Sequence, residues 1–167
     1  IHWPKPEPDT ENWKELDRGS WKALEEFLRQ GKARAIGVSN FLPYHLDALM
    51  EEAEILPAVD QLELHVGYTQ EAAVAYCREH GIQVQAWSPL GRRRVLEEPA
   101  VVRIAAKYGV SPAQLLLKYL LAQDIAVIPK SSSMERMKEN LDLPDFEISR
   151  EDFYFLRCLP QTGWGGE

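Results

Sequence analysis

The sequence is poor in cysteine and has neither a long apolar run nor an excess of positive charge. Its two cysteines, Cys77 and Cys158, have no metal-ligand spacing and are too few for a disulfide framework, so we expect two buried, reduced thiols. No apolar run approaches the roughly 18 residues of a membrane-spanning helix, and no basic and apolar leader precedes a cleavage site. The sequence therefore predicts neither a membrane span nor a signal peptide, and we expect a cytoplasmic location.

Positive charge is scarce overall and is concentrated in two places. The formal net charge of −7 argues against a general nucleic-acid-binding protein, which normally carries a basic face. The exceptions are Arg92–Arg94 and a basic segment at residues 128–141, and each follows an apolar strand pattern. These two segments could flank one anionic ligand, or they could be two solvated loops.

Glycine motifs for nucleotide binding are also missing. None of the ten glycines is spaced as Gly-x-Gly-x-x-Gly, and no Gly-x-x-x-x-Gly-Lys sequence is present. These patterns carry the dinucleotide site of the Rossmann fold and the phosphate loop of nucleoside triphosphatases, so both kinds of site are disfavoured. What is present is the composition of one globular domain, with 167 residues of which 45% are hydrophobic and 27% charged. Because the chain begins at Ile1 without an initiator Met, we expect it to be a piece of a longer protein.

Helix and strand patterns alternate along the chain. Apolar residues at spacings of three and four indicate helices, and short β-branched runs ended by polar or turn residues indicate strands. The predicted strands are 33–38, 58–64, 83–87 and 125–128. The predicted helices are 12–31, 43–54, one from Thr69 to a stop at Gly81, 99–108, one begun by a capping box of Ser111 and Gln114, one capped within Ser131–Ser133, and one begun by Ser149 with Asp152.

The predicted strands begin 25, 25 and 42 residues apart. Units of this length imply parallel strands joined by right-handed crossovers, which fit either a doubly wound open sheet or part of a (β/α)8 barrel. We prefer the barrel, because polar side chains lie at or near the C-terminal ends of the strands, where barrel enzymes place their sites. These side chains are Ser39, Asn40, Gln61, Glu63, Ser88 and Lys130.

The basic segment 128–141 combines a strand end, a serine cluster and the start of a basic helix. A helix beginning after such a strand offers free backbone N–H groups and the positive end of its dipole, and Lys130 and Arg136 add full charges. Taken alone, the segment fits a bound phosphate or a capped basic helix on the surface. The motifs elsewhere in the chain decide between the two interpretations.

Five motifs follow one another along the chain: Ile1-His-Trp-Pro, Gly37-Val-Ser-Asn-Phe, Asp60-Gln-Leu-Glu-Leu-His, Ala86-Trp-Ser-Pro-Leu-Gly and Ile128-Pro-Lys-Ser. In this order and at these intervals they resemble the aldo-keto reductase family. The resemblance covers essentially the whole chain and implies a parallel (β/α)8 barrel that holds NADP(H) across the C-terminal ends of its strands. The family's barrel is about twice as long as this chain. The chain resembles its second half, from the end of strand four to strand eight and the C-terminal helices, as one domain over residues 1–167 without an internal boundary.

The resemblance implies a role for individual residues. His2 matches the family's active-site histidine, and Trp3 and Trp164 are the candidate aromatics of the substrate pocket. Asp60 departs from the Asn of many relatives, and Arg92–Arg94 fall in a variable loop that implies no role. The implied cofactor residues are Ser39, Asn40 and Gln61 for the nicotinamide carboxamide, Trp87 for stacking on the nicotinamide ring, Ser88 and Leu90 for the pyrophosphate, Lys130, Ser131 and Arg136 for the 2′-phosphate, and Glu139 and Asn140 for the adenine.

The function implied by the resemblance is NADP(H)-dependent reduction of a small aldehyde or ketone to an alcohol. The family's Asp, Tyr and Lys of the active site are expected before Ile1, and none of the chain's tyrosines lies in the matching motif. The alternative is a catalytically silent NADP(H)-binding or interaction half-barrel. The expected partners are an N-terminal half or, if the chain stands alone, further copies of itself that cover the open strand edges. No nucleic acid, membrane or metal partner is expected.

Overall fold

The protein is described by a computed structural model that covers residues 1–5, 7 and 9–161. Helices and short strands alternate through these residues, as the sequence predicts. A four-stranded sheet has the strand order β1-β2-β3-β4, and β1 pairs with β2 in parallel. The elements are α1 (Trp13–Arg29), β1 (Gly37–Ser39), α2 (Pro43–Met50), β2 (Val59–Glu63), α3 (Glu71–Glu79), β3 (Gln83–Trp87), a 3-10 segment (Gly91–Glu97), α4 (Pro99–Tyr108), α5 (Pro112–Leu121), β4 (Ala126–Val127), α6 (Met134–Leu141) and α7 (Arg150–Arg157).

The chain forms two compact units. The first comprises Ile1–Leu62 and Glu71–Gln85, and the second comprises Glu63–Gln70 and the chain from Ala86 onward. The divisions fall inside β2 and β3, so each unit is assembled from two separate stretches of sequence. The prediction of a single domain without an internal boundary stays a prediction.

In the first unit, α1 and α2 bury apolar side chains that include Trp21, Leu46 and Leu49. The indole N–H of Trp21 donates to the Ile55 carbonyl at 2.9 Å, which satisfies the one polar atom of that ring. The carboxylate of Glu25 is also buried, but it accepts the backbone N–H groups of Glu54 and Ile55 at 2.8 and 2.9 Å. These bonds fix the loop after α2 against α1 and compensate for burying the charge.

In the second unit, α5 contributes more buried apolar side chains than any other described element. α7 adds the buried side chain of Leu156 to this core. The ring of Tyr119 packs on the ring of Phe153, with centroids 4.7 Å apart. Ser111 and Gln114 form the predicted capping box at the start of α5. The core residues of α5 are Leu115, Leu116, Leu117, Tyr119 and Leu120.

Three predicted strands are shorter in the structure, and the one predicted at 58–64 is Val59–Glu63. The strand predicted at 33–38 is only Gly37–Ser39, because Arg34 and Ala35 are exposed and the pairing begins where the Ile36 carbonyl accepts the N–H of Ala58. The strand predicted at 125–128 is Ala126–Val127, since Pro129 has no N–H with which to extend it.

Two further predictions were wrong. Thr69 does not cap α3, which begins at Glu71; its N–H and hydroxyl instead donate to Oε1 of Gln161 at 3.1 and 3.2 Å. Cys158 is exposed whereas Cys77 is buried. Cys158 follows the last turn of α7, whose buried residue is Leu156, so the helix turns the thiol away from the core.

Within the residues that the structure describes, no helix is both long enough and apolar enough to cross a membrane. The cytoplasmic location predicted from the sequence stays a prediction.

Candidate functional site

In the first unit, hydroxyl and amide side chains form a hydrogen-bonded cluster where the end of β1 pairs with the middle of β2. Ser39 donates from its hydroxyl to the Gln61 carbonyl at 2.7 Å, and the amide of Asn40 donates to the Ser39 hydroxyl at 3.1 Å. The amide of Gln61 donates in turn to Oε1 of Gln85 on β3 at 2.6 Å. The three residues expected to bind one carboxamide are therefore neighbours, and Gln85 is a member that the sequence interpretation missed.

Backbone conformation places Asn40 in this cluster. Asn40 has φ 63°, the left-handed region that Asn adopts more readily than most residues, and its N–H donates to the Gln61 carbonyl at 3.0 Å. Its side-chain amide also donates to the backbone carbonyl of His2 at 3.1 Å. The bond to His2 ties the N-terminal segment to the cluster.

His2 and Trp3 lie together on the surface of the same unit. Both side chains are exposed, and their ring centroids are 5.7 Å apart. The imidazole is therefore accessible, and the backbone carbonyl of the same residue contacts the amide cluster through Asn40. Trp164, the other predicted pocket aromatic, lies outside the described residues.

In the second unit, a cavity of about 500 Å³ lies between the segment after β3 and the segment from Pro129 to α6. All seven residues predicted to bind the pyrophosphate, the 2′-phosphate and the adenine line it. Seven further residues line the cavity without an assigned cofactor contact in the sequence interpretation: Pro89, Arg92, Arg93, Leu96, Ala113, Pro129 and Ser132. The seven predicted residues are Ser88, Leu90, Lys130, Ser131, Arg136, Glu139 and Asn140.

The serine cluster shapes the α6 side of this cavity. Ser133 is the N-cap of α6 and accepts the backbone N–H of Arg136 at 3.4 Å, while Ser131 accepts the N–H of Ser133 at 3.1 Å. From α5, the amide of Gln114 donates to the carbonyls of Glu139 and Asp142 at the other end of α6. Since α6 buries none of its side chains, these polar contacts hold it in place.

The segment after β3 reaches the cavity through an unusual backbone. Ser88, Gly91, Arg92 and Arg93 all have positive φ, between 50° and 75°. At Gly91 an added Cβ would lie 2.3 Å from Cγ2 of Val95, so only glycine fits there. Arg92 places its guanidinium 5.7 Å from the ring centroid of the half-buried Trp87, a cation–π contact.

A second cavity of about 230 Å³ in this unit contains a buried carboxylate and a histidine. The imidazole Nε2 of His65 lies 3.6 Å from Oε1 of Glu63, and both carboxylate oxygens of Glu63 lack a hydrogen-bond partner within the described part of the chain. The other ring nitrogen, Nδ1, lies 2.8 Å from the Val66 carbonyl and must donate to it.

Asp60 lies on β2 beside Gln61, but its side chain points to the opposite face of the strand. It is fully buried, and the Cys77 thiol of α3 is 3.8 Å from its Oδ2. Burial raises the pKa of Asp60 to about 7, and burial together with the nearby carboxylate raises the pKa of Cys77 to about 12. Asp60 therefore belongs to the packing between β2 and α3 rather than to the amide cluster.

The chemistry of these groups fits a nucleotide cofactor with several phosphates. Four cationic side chains and one carboxylate line the larger cavity, and a serine hydroxyl and a capped helix start add neutral donors. The amide cluster offers both donors and acceptors, which a carboxamide needs. Within the described residues, no group of three or more His, Cys, Asp or Glu side chains is placed to hold a metal ion.

Comparison with known proteins gives a consistent result. The sequence profile of the Aldo/keto reductase family matches residues 1–157. Glyoxal reductase of Bacillus subtilis is 43% identical over 159 residues, which cover 95% of this chain and 55% of the relative. Morphine 6-dehydrogenase of Pseudomonas putida is 39% identical over 162 residues, which cover 89% of this chain and 53% of the relative. The chain thus spans about half the length of these curated relatives.

Solved structures have the same fold as this chain. An aldo-keto reductase of the silkworm Bombyx mori, solved in complex with NADPH, superposes with a TM-score of 0.84 at 30% identity. The match covers 96% of this chain and 53% of that one. The parallel α/β fold predicted from the sequence is therefore confirmed, and it matches the barrel of these reductases.

Proposed function

We propose that this chain, which belongs to the aldo/keto reductase family, binds NADP(H) as part of a barrel that reduces aldehyde or ketone carbonyls to alcohols. The observation that carries the proposal is the larger cavity, where the residues assigned to the phosphates and the adenine line one space. The silkworm relative solved with NADPH supports a nicotinamide cofactor, and the names of the two curated relatives support an oxidoreductase.

The second unit binds the adenine end in this proposal. Lys130 and Arg136 pair with the 2′-phosphate, Ser131 adds a neutral donor, and Glu139 and Asn140 lie beside the adenine. Cationic donors form strong charge-assisted hydrogen bonds with a dianionic phosphate, so these residues favour NADP(H) over NAD(H). Ser88 and Leu90 contact the pyrophosphate at the other side of the same cavity.

The first unit supplies the carboxamide site and the histidine. Ser39, Asn40 and Gln61 fix the orientation of the carboxamide, because their shared hydrogen bonds leave little freedom to the cluster. His2 orients the substrate carbonyl from the edge of that cluster. Trp87, which ends β3 and belongs to the second unit, is the residue that the family resemblance assigns to stacking on the nicotinamide ring.

When bound, the nicotinamide supplies a hydride to the carbonyl carbon. A general acid must protonate the carbonyl oxygen, and the family resemblance places that Tyr, with its Lys and Asp, before Ile1. The chain covers 53% to 55% of the relatives' lengths, which supports a chain that spans about half of the barrel. The proposal that this half is the C-terminal one rests on the family resemblance of its motifs alone. The proposed substrate class is small carbonyl compounds, with glyoxal as the first to assay.

Replacing both phosphate ligands tests the cofactor assignment. Lys130→Ala with Arg136→Ala removes two charge-assisted contacts, so we expect the dissociation constant for NADPH to rise by about 10- to 100-fold. The constant for NADH should stay nearly unchanged, because NADH has no 2′-phosphate. Fluorescence titration of the chain with both cofactors measures the two constants.

The matched control is Lys138→Ala, an exposed cation of α6 that does not line the cavity. It should bind both cofactors as the parent chain does. An equal loss of NADPH and NADH affinity in the double variant would remove the 2′-phosphate assignment. Turnover of glyoxal with NADPH by the 167-residue chain alone would contradict the proposal that the acid precedes Ile1, whereas NADPH binding without turnover is the expected result.

A further inference from the structure

The cations of the larger cavity come from two separate parts of the fold. Lys130 and Arg136 belong to the segment after β4 and to α6, whereas Arg92 and Arg93 belong to the 3-10 segment after β3. The only carboxylate among the lining residues is Glu139. One phosphate held by Lys130 and Arg136 leaves the charge of the other two arginines uncompensated, since neither forms an ion pair with any residue the structure describes.

The backbone aims these two arginines into the cavity at a conformational cost. Arg92 has φ 50° and ψ 38°, and Arg93 has φ 75° and ψ −16°, so two consecutive residues with side chains adopt left-handed conformations. Such conformations are sparsely populated and persist where the surroundings over-determine them. Gly91, which no other residue can replace, and the contact of Arg92 with Trp87 hold the segment in this shape.

The third arginine of the run has a different environment. Arg94 lines the smaller cavity and not the larger one, and Glu63 and Glu98 line the smaller cavity with it. The left-handed conformations of Arg92 and Arg93 therefore direct three consecutive arginine side chains to two different cavities. Arg93 lines only the larger cavity, whereas Arg92 lines both cavities.

We propose that Arg93 binds the diphosphate bridge of the dinucleotide, with Arg92 anchoring the segment on Trp87. This inference rests on the proposed NADP(H) site and assigns a second anion contact within it. The diphosphate is common to NADPH and NADH, so Arg93 strengthens the binding of both cofactors. Lys130 and Arg136, in contrast, discriminate between the two.

The test compares Arg93→Gln with Arg94→Gln, two exposed and adjacent arginines that line different cavities. For Arg93→Gln we expect the dissociation constants for NADPH and NADH to rise by the same factor, about tenfold. The affinity for adenosine 2′-monophosphate should not change, because this probe has no diphosphate. Arg94→Gln should leave all three constants unchanged, and the calorimetric titrations need no substrate or turnover.

Each outcome bears on a different claim. If the parent chain binds neither dinucleotide, the proposed function fails and this inference fails with it. If the parent chain binds both and Arg93→Gln binds them as Arg94→Gln does, only the inference is overturned. If Arg93→Gln weakens adenosine 2′-monophosphate as much as NADPH, Arg93 belongs to the 2′-phosphate instead, which also overturns the diphosphate assignment.

Discussion

Among single residues, Asp60 couples the stability of the fold to pH. Its pKa is raised by burial to about 7, and hydrogen bonds from the Phe41 backbone and the Cys77 thiol oppose the rise only in part. In the unfolded chain the carboxyl has its ordinary pKa of 3.8. The folded state therefore holds a proton that the unfolded state releases, and the free energy of unfolding falls as the pH rises from about 4 to about 7.

Asp60→Asn should remove this pH dependence. At pH 8 we expect the variant to be more stable than the parent chain by on the order of 2 to 4 kcal/mol, since each unit of pKa displacement corresponds to about 1.4 kcal/mol. The difference should shrink toward zero near pH 4. Urea unfolding between pH 4 and pH 8 measures it, with Asp145→Asn, at an exposed position, as the control. A constant difference across this range would contradict the burial argument.

Residue types at strand ends were predictable, but the directions of individual side chains were not. Ser39, Asn40 and Gln61 follow or end apolar runs, and the structure does bring them together. Gln85 joins them only because the phase of β3 turns it toward Gln61. The positions of Arg93 and Arg94 depend on positive φ angles for which arginine carries no sequence signal.

At the level of elements, α4 and α7 are joined through one carboxylate. Asp152 of α7 accepts from Lys107 at 2.7 Å and from the Tyr108 hydroxyl at 2.5 Å, both at the end of α4. It also accepts from the Ser149 hydroxyl at 2.9 Å, and the Tyr108 oxygen accepts the Ser149 N–H at 2.8 Å. The bonds from Lys107 and Tyr108 lower the pKa of Asp152 to about 2, so the stabilisation is present above pH 4 and is lost as the pH falls toward 2.

Tyr108→Phe should loosen the start of α7. The variant loses a hydroxyl that makes two hydrogen bonds, so we expect the free energy of unfolding to fall by about 1 to 2 kcal/mol at neutral pH. Relative to the parent chain, the variant should show faster amide hydrogen exchange in α7 and unchanged exchange in α5. Tyr44→Phe, at a position on α2 that is 51% exposed, is the control and should change neither measurement. Unchanged exchange in α7 would mean that Leu156 packing alone holds the helix.

Helices were predicted better than strands because their ends carry local chemical signals. Ser111, Ser133 and Ser149 cap the helices that follow them, and Gly109 ends α4 in the left-handed conformation. Strand ends have no comparable local signal, because pairing depends on a partner strand that is distant in sequence. The strands predicted around β1 and β4 were therefore too long, whereas β3 was predicted with its observed limits.

For the whole molecule, the strand order leaves β1 and β4 at the two ends of the sheet. Strand edges expose unpaired backbone groups, and a barrel removes such edges by closing. The lengths of the relatives, of which this chain spans about half, are consistent with a further set of strands that would complete the closure. Without such strands, both edges stay uncovered in the isolated chain.

The isolated 167-residue chain should form a homodimer or a larger assembly. Self-association covers the two edges, so sedimentation velocity should give a mass at least twice that of one chain. Co-expression with an N-terminal half of the family's barrel should reduce the self-association. A compact, folded monomer at micromolar concentration would contradict this prediction.

Gly37 opens β1 opposite Val59, and a Cβ at this position would lie 2.6 Å from the Val59 carbonyl oxygen. The two backbones touch there, so the pair of strands has no tolerance for any side chain at its first rung. In a library that randomises this chain, Gly37 would be among the first positions to become fixed, although it contacts no ligand. The cause of an invariant Gly37 would then be the close approach of the two strands, and not the chemistry of the neighbouring Ser39 and Asn40.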